Sequence, residues 1–390
     1  MQKKIIALAI AAAFAAPTAF AETSNVTVYG IANVSYDVVN TSGNAAGTLK
    51  SFSNKKISSN TSRIGLKGSE DLGDGLSAIW QVESLVAIDN AGGTFGTRNT
   101  FAGLSSATAG TVLLGRHDTP YNIASRSMDL FADGLADNRS LMGGATLNLA
   151  NLGGSSAGAS FDGRQPDVLA YISPAMSGFT GAIAYVAGAE AATGASAKGG
   201  AWSLAGLYGN GPLTANFGYE FHKLGSVGTG TVAAPIGLPT AVGLKESAWK
   251  LAVGYKMDAL VLNAVYEKTT DNFGTAVGLL GQDLLGHRTI YLSGKYSINA
   301  NDAVKLAYTN HGDRNATVFG ALGSGATQVS VGYDHSLSKR TTVYALYTKL
   351  SNDTGSSFAL SGNGTGGGIS TTNGAGASPS AISLGMKHTF

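Results

Sequence analysis

The chain has 390 residues, 44% hydrophobic and 13% charged, with 55 Gly, 8 Pro, no Cys and a formal net charge of +2. Ordinary globular chains are about 25% charged and about 7% Gly, so this composition argues against disordered, coiled-coil and nucleic-acid-binding proteins. Without cysteine there is no disulfide framework, thiolate-ligated zinc, iron–sulfur cluster or thiol nucleophile.

The chain opens on Lys3 and Lys4, the apolar stretch 5–16, Pro17 and the small-x-small triplet Ala19, Phe20, Ala21. That is the layout of a secretory signal peptide, with cleavage expected before Glu22. The predicted organisation is therefore a leader at 1–21 and one unit at 22–390. An uncleaved anchor is disfavoured, because a membrane helix needs about 20 apolar residues. Removing Lys3 and Lys4 leaves basic residues equal in number to the 24 acidic ones. Overall charge then gives no case for nucleic acid or an anionic membrane surface as partner. No later apolar run reaches half the length of a membrane helix, which leaves a soluble exported protein or an outer-membrane barrel.

What recurs along the chain is a period of two. Val26, Val28, Gly30, Ala32, Val34, Tyr36 and Val38 alternate with Thr27, Tyr29, Ile31, Asn33, Ser35 and Asp37. Leu213, Ala215, Phe217, Tyr219 and Phe221 alternate with Thr214, Asn216, Gly218, Glu220 and His222, and Trp249, Leu251, Val253 and Tyr255 with Lys250, Ala252, Gly254 and Lys256. Val304, Leu306 and Tyr308, then Val329, Val331 and Tyr333, repeat the pattern. Such alternation puts one face of each strand in an apolar medium and the other in a polar one.

Short connections fall near 70–75, 105–110, 173–178, 209–212, 257–258, 298–302 and 336–340. Long Gly/Ser/Thr/Asn-rich ones fall near 40–60, 87–96, 117–163, 188–200, 224–245, 270–286, 312–325 and 352–378. Fifteen connections imply sixteen strands. An even number of antiparallel strands of about ten residues, with short periplasmic turns and long extracellular loops, is the layout of a transmembrane β-barrel. Closure satisfies every backbone polar group, as hydrocarbon demands. A soluble β-sandwich or β-helix would not sort its loops by length in this way. Residues 179–187 and 343–350 are apolar on both parities, which leaves a subunit contact or a bulge open there.

Four stretches carry a resemblance: 61–83 (TSRIGLKGSEDLGDGLSAIWQVE), 110–116 (GTVLLGR) leading into 118–121 (DTPY), 337–342 (LSKRTT) and the terminal 385–390 (GMKHTF). The sequence resembles the general porins of Gram-negative bacteria, of the neisserial and β-proteobacterial type. The resemblance implies an all-β, sixteen-stranded homotrimeric channel whose third loop folds into the lumen. It also implies an arginine cluster of Arg63, Arg98 and Arg164 opposite that loop, and a terminal Phe390 that is read by the outer-membrane assembly machinery.

The parity of the residues bears on these expectations. Arg63 and Lys67 share the phase of Gly65 and Ser69 while Ile64 and Leu66 take the other, so both cations face the lumen. A cation on the lipid face at mid-depth costs about 2–4 kcal/mol. The same argument puts Glu83, Glu220, Lys250, Lys256, Glu267, Lys295, Lys305, Asp334 and Lys387 inside the barrel or near its rims. For Arg98 and Arg164 the phase leaves a wall position and a solvated rim position open. The third loop brings the acidic residues Asp118, Asp129, Asp133 and Asp137, with Arg126 and Arg139 nearby. Carboxylates on the loop facing Arg63, Lys67, Arg98 and Arg164 on the wall would set a transverse field across a constriction, and charged rows of this kind tune ion selectivity.

Other chemistry is not indicated. His117, His222, His287, His311, His335 and His388 show no metal-ligand spacing and read as loop or barrel-surface residues. The tip 362–368 lacks the Lys-Ser/Thr of a phosphate loop, and no Gly-x-Ser-x-Gly elbow supports a catalytic triad. No cofactor is expected, and the chain is not expected to be an enzyme. The expectation is a cell-outer-membrane porin for passive diffusion of small hydrophilic solutes and ions, weakly anion-preferring, in contact with outer-membrane lipid and lipopolysaccharide. A substrate-specific channel of the same fold is the rival, and a barrel enzyme or adhesin the rival from another class.

Overall fold

The structure, a computed structural model, describes residues 25–90, 95–144, 161–187, 200–223, 245–273, 281–315, 323–360 and 374–390. The leader, the 362–368 tip and parts of several long loops lie outside the described residues. Strand segments run β1 Asn25–Thr41, β2 Phe52–Ser59, β3 Arg63–Gly73, β4 Leu76–Leu85, β5 Thr100–Ser106, β6 Gly110–Asp118, β7 Arg164–Ile172, β8 Phe179–Val186 and β9 Gly200–Asn210. They continue as β10 Leu213–Lys223, β11 Lys245–Met257, β12 Leu260–Asp271, β13 Arg288–Ser297, β14 Asp302–His311, β15 Ala326–Ser336, β16 Thr341–Asn352 and β17 Pro379–Thr389.

Every described pairing is antiparallel, and β1 closes the ring on β17 from Ile31↔Thr389 to Thr41↔Pro379. The seventeen segments make sixteen staves, because β2 and β3 pair end to end along one partner: Val34–Thr41 of β1 faces β2, and Asn25–Ile31 faces β3. Between them Thr61 takes a left-handed φ of 55°. Asn33 holds this kink by donating its N–H to Ser62 Oγ at 2.9 Å and accepting from the Asn60 N–H at 2.7 Å. The first long connection is therefore shorter than the expected 40–60. A spanning strand needs about 9–11 residues, so the 17 residues of β1 outrun the hydrocarbon. Its partner Ser53-Asn54-Lys55-Lys56 is polar, with the first three exposed, which removes the apolar alternation that would have marked it as a strand.

Outward positions are apolar and exposed, as for Val26, Leu114, Leu306 and Ile382, which are 50–60% accessible. Inward positions, such as Ser35, Asp37, Asn216, Lys250 and Gln328, are buried. All seven expected short turns are present. The sixteen-stave barrel is what the count of connections predicted.

The third long loop begins after β6 with α1 (Pro120–Arg126), whose N-cap Thr119 accepts from the Asn122 N–H and whose Pro120 sits in the first turn. It packs on the inner faces of β9, β10 and β11. Three apolar clusters seat the loop. Tyr121 and Phe161 lie with Ala248, and Met128, Phe131, Ala136 and Met142 pack on Ala252, Val265, Tyr291 and Ala307. Leu135 and Leu141 pack on Val39, Leu350, Leu360 and Ala381. The 343–350 segment is thereby explained: Leu346 and Leu350 face inward because the loop covers them. In β8 the inward Ala184 and Val186 join Leu113, Val168, Phe273 and Leu285.

Candidate functional site: the lumen wall and the third loop

Inward glycines make room for the loop. A Cβ on Gly218 would sit 3.1 Å from Ala124 Cβ, and one on Gly332 would sit 2.8 Å from the Phe131 ring. Around them the wall offers hydrogen bonds to the loop backbone. Ser203 Oγ accepts from the Tyr121 N–H at 2.9 Å, Asn216 donates to the Ala124 carbonyl at 2.8 Å, and Asn263 donates to the Met128 carbonyl at 3.1 Å. A buried loop backbone needs such partners, since an unpaired buried polar group costs about 1–3 kcal/mol.

Charge is also buried beneath the loop. Lys250, fully buried, donates to Asp162 and to Ser125 Oγ at 3.0 Å, and its ammonium lies 3.8 Å from Glu267 and 3.9 Å from the Tyr121 ring centroid. Glu267 accepts from Tyr121 Oη at 2.7 Å and from the Gly143 N–H at 3.0 Å. His222, also fully buried, bridges Glu220 and Glu246 at 2.8 Å each and stacks on Phe161. His287 and His311 are buried with their rings 4.0 Å apart. His222 and His311 correct the expectation of loop or surface positions, since each lies at the end of a strand and is buried against a loop phenylalanine, Phe161 and Phe358; His287 lies in the connection before β13, as expected, but is buried. Among the described residues no group of three or more acidic or histidine side chains is placed to hold a metal ion.

The opposite wall, β3 to β7, carries the predicted arginines. Arg98 pairs with Glu83, whose other oxygen lies 3.8 Å from Arg63 and accepts from Tyr29 Oη at 2.9 Å. Arg164 pairs with Asp118 at 2.8 Å and donates to Asn99 at 2.6 Å, and Arg98 and Glu83 act on it electrostatically. Arg63, Arg98 and Arg164 thus lie in one neighbourhood. Lys67 stands apart from this chain, 5.3 Å above the Tyr29 ring. Asp118 belongs to the wall and not to the third loop, because the β6–β7 ladder runs on to the pair Asp118↔Arg164.

Arg63 reaches across to the loop at 3.2 Å from Asp133. Beyond it Arg126 binds Asp133 and Asp137 at 2.8 Å each, and Arg139 binds Asp137 at 3.1 Å. Asp129 and Asp137 do not present their carboxylates to the lumen. Asp137 is fully buried and also accepts from the Asp133 and Arg139 N–H groups, so it folds the loop. Asp129 accepts from the Phe131 and Asn138 N–H groups and from Tyr291 Oη at 2.9, 3.0 and 3.1 Å. Burial, and then the neighbouring Asp137 carboxylate, push the Asp129 carboxyl up to about 7. Burial opposes ionisation of Asp137 too, yet Arg139 and Arg126 hold it well below the usual carboxylate range.

Of the residues singled out from the sequence, the structure brings Arg63, Arg98 and Arg164 together and sets Asp133 against Arg63, while Lys67 stands apart, Asp118 lies on the wall and Asp129 and Asp137 turn into the loop. Sequence reasoning missed the seat of the loop, namely Lys250 under Tyr121, the His222 bridge and the inward glycines. The signal present was Gly or Ala at inward positions of β10, β11 and β15, where a lumen wall facing only water has no need of small residues.

A closed antiparallel barrel with an apolar exterior, a charged interior and a loop folded against its inner wall defines a β-barrel membrane channel. A family profile described as Gram-negative porin matches residues 7–355. The chain is 31% identical to outer membrane porin protein 32 of Delftia acidovorans over the whole of both chains. It is 32% identical to the major outer membrane protein P.IA of Neisseria meningitidis over 48% of this chain and 47% of that one. Among solved structures, the anion-selective porin from Comamonas acidovorans superposes with a TM-score of 0.71 at 26% identity, covering 94% of this chain and 100% of that one. The chain belongs to the Gram-negative porin family and is an outer-membrane porin. Family and fold point to a channel rather than an enzyme.

Proposed function

We propose that the protein is exported through a leader cleaved after Ala21 and assembles as a homotrimer of water-filled channels for passive diffusion of small hydrophilic solutes and ions. It prefers anions weakly and catalyses no reaction. The observation that carries the preference is the unequal use of charge across the lumen. On the wall, Arg63, Arg98 and Arg164 face the acids Glu83 and Asp118, while on the loop the carboxylates of Asp129 and Asp137 are turned into the loop's own hydrogen bonds. The narrow zone beside the Arg63–Asp133 ion pair is the constriction, and its mobile ions meet guanidinium groups more than carboxylates. The anion-selective porin named above supports the same sign.

Phe390 serves as the assembly signal. Its N–H and C=O pair with Gly30 at 3.1 and 3.0 Å, and its ring, 48% exposed, stays on the barrel surface where a receptor can reach it. The apolar belt contacts outer-membrane lipid and lipopolysaccharide, with part of it covered in the trimer. Single-channel recording of the refolded protein tests the reading: conductance arrives in groups of three equal steps. Lipid or peptide hydrolysis without conductance steps contradicts it.

A further inference from the structure

Below the tip of the third loop lies a cavity of about 350 Å³, closed on its far side by the inner faces of β14 to β17. Its size falls in the range of about 300–1,000 Å³ typical of small-molecule sites. Its two sides differ in chemistry. Leu130 and Ala132 of the loop, continued by Leu346 of β16, give an apolar surface. Facing it are Lys305, Lys387, Lys339 and Arg340, with Asp334 the one carboxylate among the described lining residues.

The cations are not neutralised equally. Asp334 is held by Lys305 at 2.9 Å, and that ammonium also lies 4.9 Å from the Phe131 ring centroid. The other carboxylate acting on Lys387 is Asp133, which Arg63 and Arg126 already bind. No ion pair to Lys387, Lys339 or Arg340 occurs among the described residues, so positive charge is left over beside an apolar wall. Chloride or phosphate would use the charge and leave the apolar side idle, and a neutral apolar solute would do the reverse. A ligand with both parts satisfies both sides.

Resting on the porin reading above, we infer that this cavity is a binding subsite for organic monocarboxylates with an apolar body, such as aryl or branched-alkyl carboxylates. The carboxylate sits on Lys387 and the body lies against Leu130, Ala132 and Leu346. The subsite retards such anions in the pore, so they compete with chloride for it.

The test is chloride current through the full-length porin in a planar bilayer, with 1-naphthoate, acetate, 1-naphthylmethanol or 1-naphthylmethylammonium added. Naphthoate blocks at a lower concentration than the other three. Lys387→Gln raises its half-blocking concentration about tenfold, the loss expected for a charge-assisted hydrogen bond. Leu130→Asn weakens block by naphthoate while block by acetate stays the same. Heat-resistant migration in detergent verifies that each variant is folded, and Leu130→Asn carries the test alone if Lys387→Gln fails to assemble. Equal block by acetate and naphthoate, or block unchanged in the folded variants, overturns the subsite. A channel that conducts chloride without block overturns the subsite alone, whereas a protein with no conductance steps fails the porin reading first.

Discussion

The two halves of the barrel wall share one backbone pattern and differ in what their inward positions hold. From β9 to β13 many of these positions are Gly, Ala, Ser and Asn beside the buried charges Glu220, Lys250 and Glu267, and the third loop lies on them like a second layer. From β3 to β7 they include Arg63, Asp118 and Arg164, left partly accessible, around the buried Glu83. Small residues on one side draw the loop over, and long charged ones on the other keep a path open. A barrel thus becomes a selective pore by being asymmetric across its lumen. The inward alternation of a transmembrane strand encodes either a seat or a surface, depending on side-chain size.

The largest expected effect comes from attacking the seat. Lys250→Ala leaves Asp162 and Glu267 buried without their cation, a loss of about 3–5 kcal/mol when one partner of a buried pair is removed. Urea titration of the refolded barrel, followed by tryptophan fluorescence, measures it. Overpacking is next: Gly332→Leu drives a side chain into Phe131, and added bulk in a packed site costs about 1–3 kcal/mol. The loop is displaced, and the open-channel current becomes noisier and changes in size in single-channel traces.

On the open half the expected effects are electrostatic and smaller. Arg63→Ala removes one guanidinium from the narrow zone and shifts permeability toward cations. A unit charge at 4 Å is worth about 1 kcal/mol in water, so the permeability ratio changes by roughly fivefold at most. The smallest effect is that of pH. The Asp129 carboxyl sits at about 7 in the folded protein, above its value in the unfolded chain. Its protonated form is therefore favoured by folding, and that contribution is present below pH 7 and lost as pH rises through it. Going down through pH 7 the loop loses one negative charge, and anion preference rises. Asp129→Asn abolishes this increment, as read from zero-current potentials at pH 8 and pH 6.

Much of the architecture was legible because lipid imposes a strict rule on every other residue. Leu306 and Val331 had to face hydrocarbon, and so Lys305 and Gln328 had to face inward. The rule fails where lipid is absent. The β2 segment stands above the membrane, so Ser53 to Lys56 carry no alternation and read as loop. Leu346 and Leu350 break the rule from inside, because the loop gives them an apolar partner that no local pattern reveals. The site was less legible than the fold. Arg63 followed from parity, but Asp118 passed for a loop residue because Thr119-Pro120 follows it directly, and only its cross-strand partner Arg164 shows the ladder continuing. Lys250 and His222 read as lumen or surface groups, since burial under a loop some hundred residues earlier in the chain leaves no trace in the sequence around them.

The asymmetry between seat and open wall is tested most directly by the zero-current potential of the wild-type channel in a potassium chloride gradient. The account predicts the sign of a channel more permeable to chloride than to potassium. A potential of the opposite sign would show that the loop carboxylates, and not Arg63, Arg98 and Arg164, govern the lumen.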